Sequence, residues 1–424
     1  MRRRYFLQQA ALLSAGSLMA PLITNAAGKK NPVLIIVSGW QDVNIGDIAH
    51  TPGLITLLKH RMPGAKMILW KKSESKKVDE MLLTHFPDLR IVHGSFDKDL
   101  EPQTGELKQA FKEADFFIHG SGPSVVGADH IRCWNKQTKK GFGIFGVTIQ
   151  EVPPPLKELL LQASFIFTRE TASIDVLRKN GLAGMHVAFA PDATFVLDIT
   201  DDKKGQAFLK ENKLEMRKFI CVVPRLRFTP YYKFNPNRSG WSEDRIKQVD
   251  ATNDKFKETD HAKLREAMIA WVRKTGNKVL VCPEMTYQVD IMDELLIDPL
   301  PADVKPFVLK RGYWLPDEAA SVYAKAHSVL SFECHSPIIA AANGTPSFYL
   351  RQPTDTIKGQ MYYDLGFNEW VFEIDQTSGD QITGKLMQVH DNYPLALKKV
   401  KESIKKVDRR YDNIFTIVKR IKLT

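Results

Sequence analysis

Cysteine is scarce. Cys133, Cys221, Cys282 and Cys334 are the four in 424 residues, and none stands in a CxxC pair. Zinc ribbons and thioredoxin-like redox sites draw on that pairing, so neither is supported. Cys221 and Cys282 fall within apolar runs and read as buried free thiols. Export would permit a disulfide, but spacing alone pairs none of them. After the first thirty residues no apolar run reaches the roughly 18 residues that a spanning helix needs. Low-complexity tracts and acidic tails are missing. So is any basic helix or zinc-finger spacing of the kind that reads DNA, and nucleic acid is not an expected partner. The turn after the first apolar run lacks the GxGxxG of a dinucleotide site.

What is present begins with a segment unlike the rest. Arg2, Arg3 and Arg4 precede an apolar run from Ala10 to Ile23, which ends in Asn25, Ala26 and Ala27. That is the layout of an export signal over residues 1–27. The order Arg3-Arg4-Tyr5-Phe6-Leu7 also fits the twin-arginine pattern. An ordinary secretory signal or an uncleaved amphipathic start are the alternatives. The mature chain is expected to be periplasmic or extracellular and soluble, unless the signal stays as an anchor. The formal charge is +11, and a basic excess remains without the three signal arginines. It suits phosphates, acidic glycans or lipid headgroups, although a solvated basic surface is the commoner cause.

The length predicts two or three domains, of which two is the simplest reading. Continuous apolar runs bounded by turns mark strands buried on both faces: Val33–Val37, Met67–Trp70, Leu89–Val92, Phe116–His119, Ile144–Thr148, Phe165–Thr168 and Val187–Ala190. Helical patterns at Thr51–Met62, Lys76–His85 and Gly105–Ala114 alternate with them, giving a parallel α/β domain over residues 30–200. A charged crossing at 200–218 leads to a second series over 218–385. Its strands are expected at Phe219–Val223, Lys278–Cys282, Phe307–Leu309, Ser328–Phe332 and Ser347–Leu350, with helices at His261–Lys274, Pro316–Ala326 and Pro337–Asn343. The stretch from Arg225 to Thr259 is too long for a plain connection and reads as a functional or mobile loop. Lys398, Lys399, Lys401, Lys405 and Lys406 recur on a helical period in a basic C-terminal helix over 386–424, more readily a solvated face than a binding patch. Two Rossmann-like domains of this kind face each other across a cleft, and chemistry belongs in the loops after their strands.

Several of those loops are candidates. In Ser38–Asp47, Gly46 lets backbone approach an anion at a helix start, and Asn44 and Asp47 are either ligands or caps. Gly120, Ser121 and Gly122 form either an amide cradle for phosphate or carboxylate, or a tight turn. Arg169, with Glu170 and Ser173, ends a strand and suits an anionic ligand or an interstrand ion pair. Asp192 is a cap or a cleft carboxylate. Arg225 and Arg227, beside Tyr231, Tyr232 and Lys233, suit an anionic or sugar ligand, or a solvated loop. His335 begins a helix at a strand end, where histidine serves as general acid or base or as a cap. Glu333 shares its face on a strand.

In order and spacing, from about residue 33 to 370, these pieces resemble the polysaccharide pyruvyl transferase family. The match rests on Asn44-Ile45-Gly46-Asp47, His119–Ser124, Arg169-Glu170 with Ser173, Asp192, and His335-Ser336 through Gly344-Thr345-Pro346. The resemblance implies a fold of the glycosyltransferase B type. It also implies transfer of the pyruvyl unit of phosphoenolpyruvate to a glycan hydroxyl as a ketal, with no metal or cofactor demanded. By position His335 would be the general acid, and Arg225 or Arg227 would hold the donor. Lys358 stands where the family tends to carry a lysine.

Two departures bear on donor use. Glu333 occupies the arginine position of the family's Arg-x-His, where a carboxylate repels phosphoenolpyruvate unless protonated or paired, for instance with Arg351. Export would also separate the protein from a cytoplasmic metabolite. The alternatives are therefore an exported glycan binder or a diverged member that no longer uses phosphoenolpyruvate, and a nucleotide-sugar glycosyltransferase of the same fold.

Overall fold

The computed structural model describes residues 31–182, 186–234 and 240–421. The expected export signal lies outside the described residues. Seven parallel strands form the first sheet: β1 (Val33–Val37), β2 (Lys66–Trp70), β3 (Arg90–Val92), β4 (Phe116–His119), β5 (Phe142–Val147), β6 (Phe165–Thr168) and β7 (Val187–Phe189), in the order β3-β2-β1-β4-β5-β6-β7. The second sheet comprises β8 (Phe219–Val223), β9 (Lys278–Val281), β10 (Val308–Lys310), β11 (Ser328–Ser331), β12 (Ser347–Arg351) and β13 (Val371–Glu373), in the order β10-β9-β8-β11-β12-β13. The short edge strand β13 carries too few apolar residues to register as a strand in sequence.

The apolar runs become central strands because helices cover both faces. Ile35 pairs with Ile68 on one side and Phe117 on the other, and all three are buried. The strand order reverses between β1 and β4 and again between β8 and β11, and open α/β sheets present their ligands at such switch points. In β5 the register shifts at Gly146, whose φ of +72° and whose approach to Ser121 admit no side chain.

Helix boundaries differ from expectation at two informative places. The helix Ile45–Arg61 starts six residues before Thr51, capped by Asn44, whose Oδ1 accepts from the Gly46 and Asp47 N–H groups at 2.7 and 3.3 Å. Pro52, near the start of the helix expected at Thr51–Met62, lies inside this longer helix. The second half of the expected loop at 225–259 is instead the start of a helix, Glu243–Thr275, capped by Ser242. Its first half buries only Val249 and Asn253, so an apolar period is missing there. Asn253 instead clamps the Phe228 backbone with two hydrogen bonds of 2.9 Å.

The last long helix, Tyr393–Val418, buries Ala396, Val400, Val407, Tyr411, Ile414 and Phe415 along one face. It returns to the first domain, where the Tyr411 hydroxyl lies 2.9 Å from the carbonyl oxygens of Pro191 and Asp192. Arg61 of the helix Ile45–Arg61 pairs with Asp412 at 2.6 Å. Among the described residues no helix is long and apolar enough to cross a membrane.

Candidate functional site

The loops that follow β1 and β9 touch across the cleft. The Ile45 N–H donates to the Glu284 carbonyl at 2.9 Å, and the Thr286 N–H to the Val43 carbonyl at 3.0 Å. This stitching brings Gly46 against the ring of His335, the first residue of the helix His335–Ala342. A Cβ on Gly46 would stand 2.4 Å from His335 Nδ1, so glycine there is a condition of the contact. That helix has no side-chain cap from its own N-cap residue, Cys334. Glu284 substitutes: its Oε2 accepts from the Ser336 N–H and hydroxyl at 2.6 and 2.8 Å. A carboxylate is favoured at a helix start. Glu284 Oε1 is then left 3.4 Å from His335 Nδ1.

On its other side His335 Nε2 lies 3.8 Å from Asp192 Oδ2. Asp192, fully buried after β7, receives the Thr194 N–H at 3.0 Å, Arg169 Nη1 at 2.9 Å and His50 Nδ1 at 3.1 Å. The rings of His50 and His335 meet edge to face, with centroids 4.6 Å apart. The two imidazoles are driven in opposite directions. Burial lowers the pKa of His50, and Asp192 does not fully restore it, since His335 and Arg169 also disfavour a proton there. Burial opposes charge on His335 too, but the Cys334 sulfur, Asp192 and Glu284 outweigh it and raise its pKa well above the ordinary histidine value. Burial likewise disfavours the Asp192 anion, yet His50, His335 and Arg169 hold its pKa well below the usual carboxylate range. These directions favour a proton on His335 over one on His50, with one carboxylate bridging the two rings. Titratable neighbours whose environments split their affinities are the mark of an assigned acid.

A second cluster adjoins this one. Arg225 Nη1 donates to Asp355 at 2.6 Å, and its Nε lies 3.4 Å from Glu333 Oε1. Lys358 Nζ stands 3.8 Å from Asp355, and Gln288 Nε2 donates to Glu333 at 2.7 Å. Burial raises the Glu333 pKa to about 7, against the pull of Arg225. Two cations thus face one firm carboxylate and one that changes charge near neutrality.

Of the residues singled out in sequence, Asp192, Arg169 and His335 meet in one group and Arg225, Glu333 and Lys358 in the next. Arg227 does not join them: it forms a two-pronged pair with Asp260 at 2.8 and 2.9 Å, reaches Asp375 and lies over the Phe256 ring. Arg351 pairs with Glu373 at 2.7 Å, so Glu333 finds its partner in Arg225 instead. Asn44 is a cap. Asp47 accepts from Gln41, which also reaches the Tyr231 hydroxyl at 3.2 Å. Gly120 donates its amide to Val37, and Gly122 accepts from Thr148, so both extend the sheet. Ser121 offers its carbonyl to Trp40 at 2.5 Å. That turn packs tightly, with a Cβ on Gly120 falling 2.6 Å from Ser38.

Sequence reasoning missed His50, Glu284, Gln288 and Asp355. His50 was hidden by the misplaced helix start, whereas Glu284, two residues past an apolar strand run, carried a usable signal. His50, Asp192 and His335 present ligand atoms within 4.8 Å of one another, a set able to hold a metal ion. Arg169 on the same carboxylate, and the raised pKa of His335, already supply positive charge there, which suits a proton better than a metal.

A family model described as polysaccharide pyruvyl transferase matches residues 44–352. A search of curated protein sequences returns no match. Among solved structures, S. aureus MnaA with UDP superposes at a TM-score of 0.56 with 8% identity, covering 91% of this chain and 97% of that one. UDP-GlcNAc 2-epimerase from Neisseria meningitidis bound to UDP-GlcNAc gives 0.55 and 13%, over 91% and 99%. Anabaena Alr3699/HepE with UDP-glucose gives 0.56 and 12%, over 91% and 97%. At such identities the likeness establishes the fold, which is glycosyltransferase-B-like.

Proposed function

The chain belongs to the polysaccharide pyruvyl transferase family, and from that premise we propose that it moves the pyruvyl unit of phosphoenolpyruvate onto a pair of glycan hydroxyls as a cyclic ketal. The observation that carries this reading is the position of His335 at the cleft, 7% exposed and between the carboxylates of Asp192 at 3.8 Å and Glu284 at 3.4 Å, which favour its protonated form. Its proton goes to the methylene carbon of the donor, which becomes a methyl group. The adjacent carbon becomes electron-poor and is attacked by one acceptor hydroxyl. The bond to the phosphate oxygen breaks and phosphate leaves, after which the second hydroxyl closes the ketal. The two hydroxyl protons balance those taken up by the methyl group and the phosphate. Asp192 and Glu284 hold the imidazole in place and favour its charged form. Arg225 and Lys358 are the cations that would face the donor.

His335→Gln keeps the ring-sized packing while removing the acid. Phosphate release from phosphoenolpyruvate in the presence of glycan should fall at least about 100-fold, the lower range of a lost general acid. A rate unchanged from wild type would exclude this role.

A second reading is favoured by the commitment of Arg225 to Asp355 and Glu333: an exported, diverged member that binds glycan without using phosphoenolpyruvate. In that case the export signal at residues 1–27 would deliver the chain to a periplasmic or extracellular glycan. Calorimetric titration of the mature protein with phosphoenolpyruvate, and with UDP in parallel, separates the readings. Heat with the first ligand alone supports pyruvyl transfer, with UDP alone a nucleotide-sugar enzyme, and with neither the diverged binder.

A further inference from the structure

All strands of the second sheet are parallel, so Trp370, which immediately precedes β13, lies at the end of the sheet away from the cleft. There a cavity of about 460 Å³ opens between the segment 366–370 and the helices Gly379–Asp391 and Tyr393–Val418. Its volume falls in the range of roughly 300–1,000 Å³ that small ligands occupy. Lys398 and Glu402 at its rim balance each other at 4.0 Å. Lys385, Lys399 and Lys406 remain against Glu369 alone, three ammonium groups to one carboxylate. Lys385 and Lys399 share Glu369 at 3.7 and 2.9 Å, while Lys406 has no ion-pair partner among the described residues. The Lys406 ammonium stands 2.6 Å from where a Cβ on Gly366 would sit.

Asn368, Gln388 and Asn392 line the same cavity, and their side-chain amides bond to no other described residue. Leu395 adds an apolar wall and is 59% exposed. Unspent amides suit ring hydroxyls, the apolar wall suits the carbon face of a sugar, and surplus ammonium groups suit a carboxylate.

We propose that this cavity is a second saccharide site, which holds a carboxylate-bearing sugar ring of an acidic polysaccharide while the cleft acts elsewhere on the same polymer. The inference rests on the family-level reading that the substrate is a polysaccharide, and not on the identity of the donor. Holding one part of a chain raises the effective concentration of the rest near the cleft to the order of millimolar. The basic C-terminal helix then serves partly as a binding face.

The test is calorimetric titration of the mature protein with tetragalacturonate, beside neutral maltotetraose and phosphatidylglycerol vesicles. Tetragalacturonate should bind wild type and His335→Gln alike, and maltotetraose should not bind. The double variant Lys399→Gln/Lys406→Gln should bind about tenfold more weakly or worse, as expected on losing a charge-assisted hydrogen bond. Lys401→Gln/Lys405→Gln removes equal charge from the same helix outside the cavity and should change affinity less than about twofold. Gln388→Ala/Asn392→Ala should weaken binding without altering charge. Equal weakening by both lysine pairs would reduce the effect to diffuse attraction and overturn the proposal. Loss of binding in His335→Gln, or binding to the vesicles only, would overturn it as well. Phosphate release measured on the same samples reports separately on pyruvyl transfer.

Discussion

Glu333 makes donor binding depend on pH in a way that can be calculated. Its carboxyl, pushed up to about 7 by burial, faces Arg225 and shares that guanidinium with Asp355. Protonated, Glu333 leaves Arg225 and Lys358 with one net positive charge against Asp355, and ionised it leaves none. If a multiply charged donor binds only the protonated form, its apparent Kd scales with one plus ten to the power of pH minus pKa. Between pH 7 and pH 9 the apparent Kd should then rise about 50-fold, or about 2.3 kcal/mol. Across this window the phosphate of phosphoenolpyruvate is already mostly ionised, so the protein group dominates. Calorimetric titration across it, on wild type and Glu333→Gln, is the assay. The variant keeps shape and an acceptor for Gln288 but cannot ionise, and its Kd should vary less than about threefold over the same range. An equally steep slope in the variant, or a flat wild type, would refute the assignment. The same result would show how a carboxylate at the family's arginine position is compatible with an anionic donor.

Gly46→Ala should place a methyl group on the ring of His335; a stability loss of about 1–3 kcal/mol in urea unfolding and a rate loss larger than any change in donor affinity are expected, and wild-type turnover would show that the contact is dispensable. Tyr411→Phe removes the hydroxyl that meets the Pro191 and Asp192 carbonyls from the returning helix, for a loss of about 1 kcal/mol in the same assay. Stability should also fall as pH drops from 6.5 to 5. Burial pushes His119 and His327 down to about 3 and His130 and His261 to about 4, so they stay neutral in the folded state and take up protons on unfolding. Glu333 and His335, whose pKa values are raised, work in the opposite sense, and the net uptake averaged over the window should be about two protons, read as the slope of unfolding free energy against pH. A flat profile there would contradict the burial of those rings.

Much of the fold is legible in the chain because its strands are written as uninterrupted apolar runs. Val33–Val37, Phe165–Thr168 and Phe219–Val223 appear in the structure with the bounds that the sequence suggests. Helix starts are less legible. Asn44 caps a helix that contains Pro52, and Ser242 caps one whose first two turns are almost entirely polar. In both cases side-chain hydrogen bonds to backbone, rather than an apolar period, set the boundary.

By itself the sequence determined the two parallel α/β units, the family, and the presence of His335, Asp192 and Arg169 in loops after strands. Those properties follow from local pattern and order along the chain. Only the tertiary structure decided which of these groups act together. Arg225 and Arg227 are two residues apart, yet one faces Glu333 and the other is tied to Asp260. His50 and His335 are chemically identical, and their opposite tendencies to hold a proton arise from what surrounds each buried ring. Charge state and partner choice depend on distances across the cleft, between segments as far apart as Gly46 and His335, and such distances are set by packing rather than by any local run of residues.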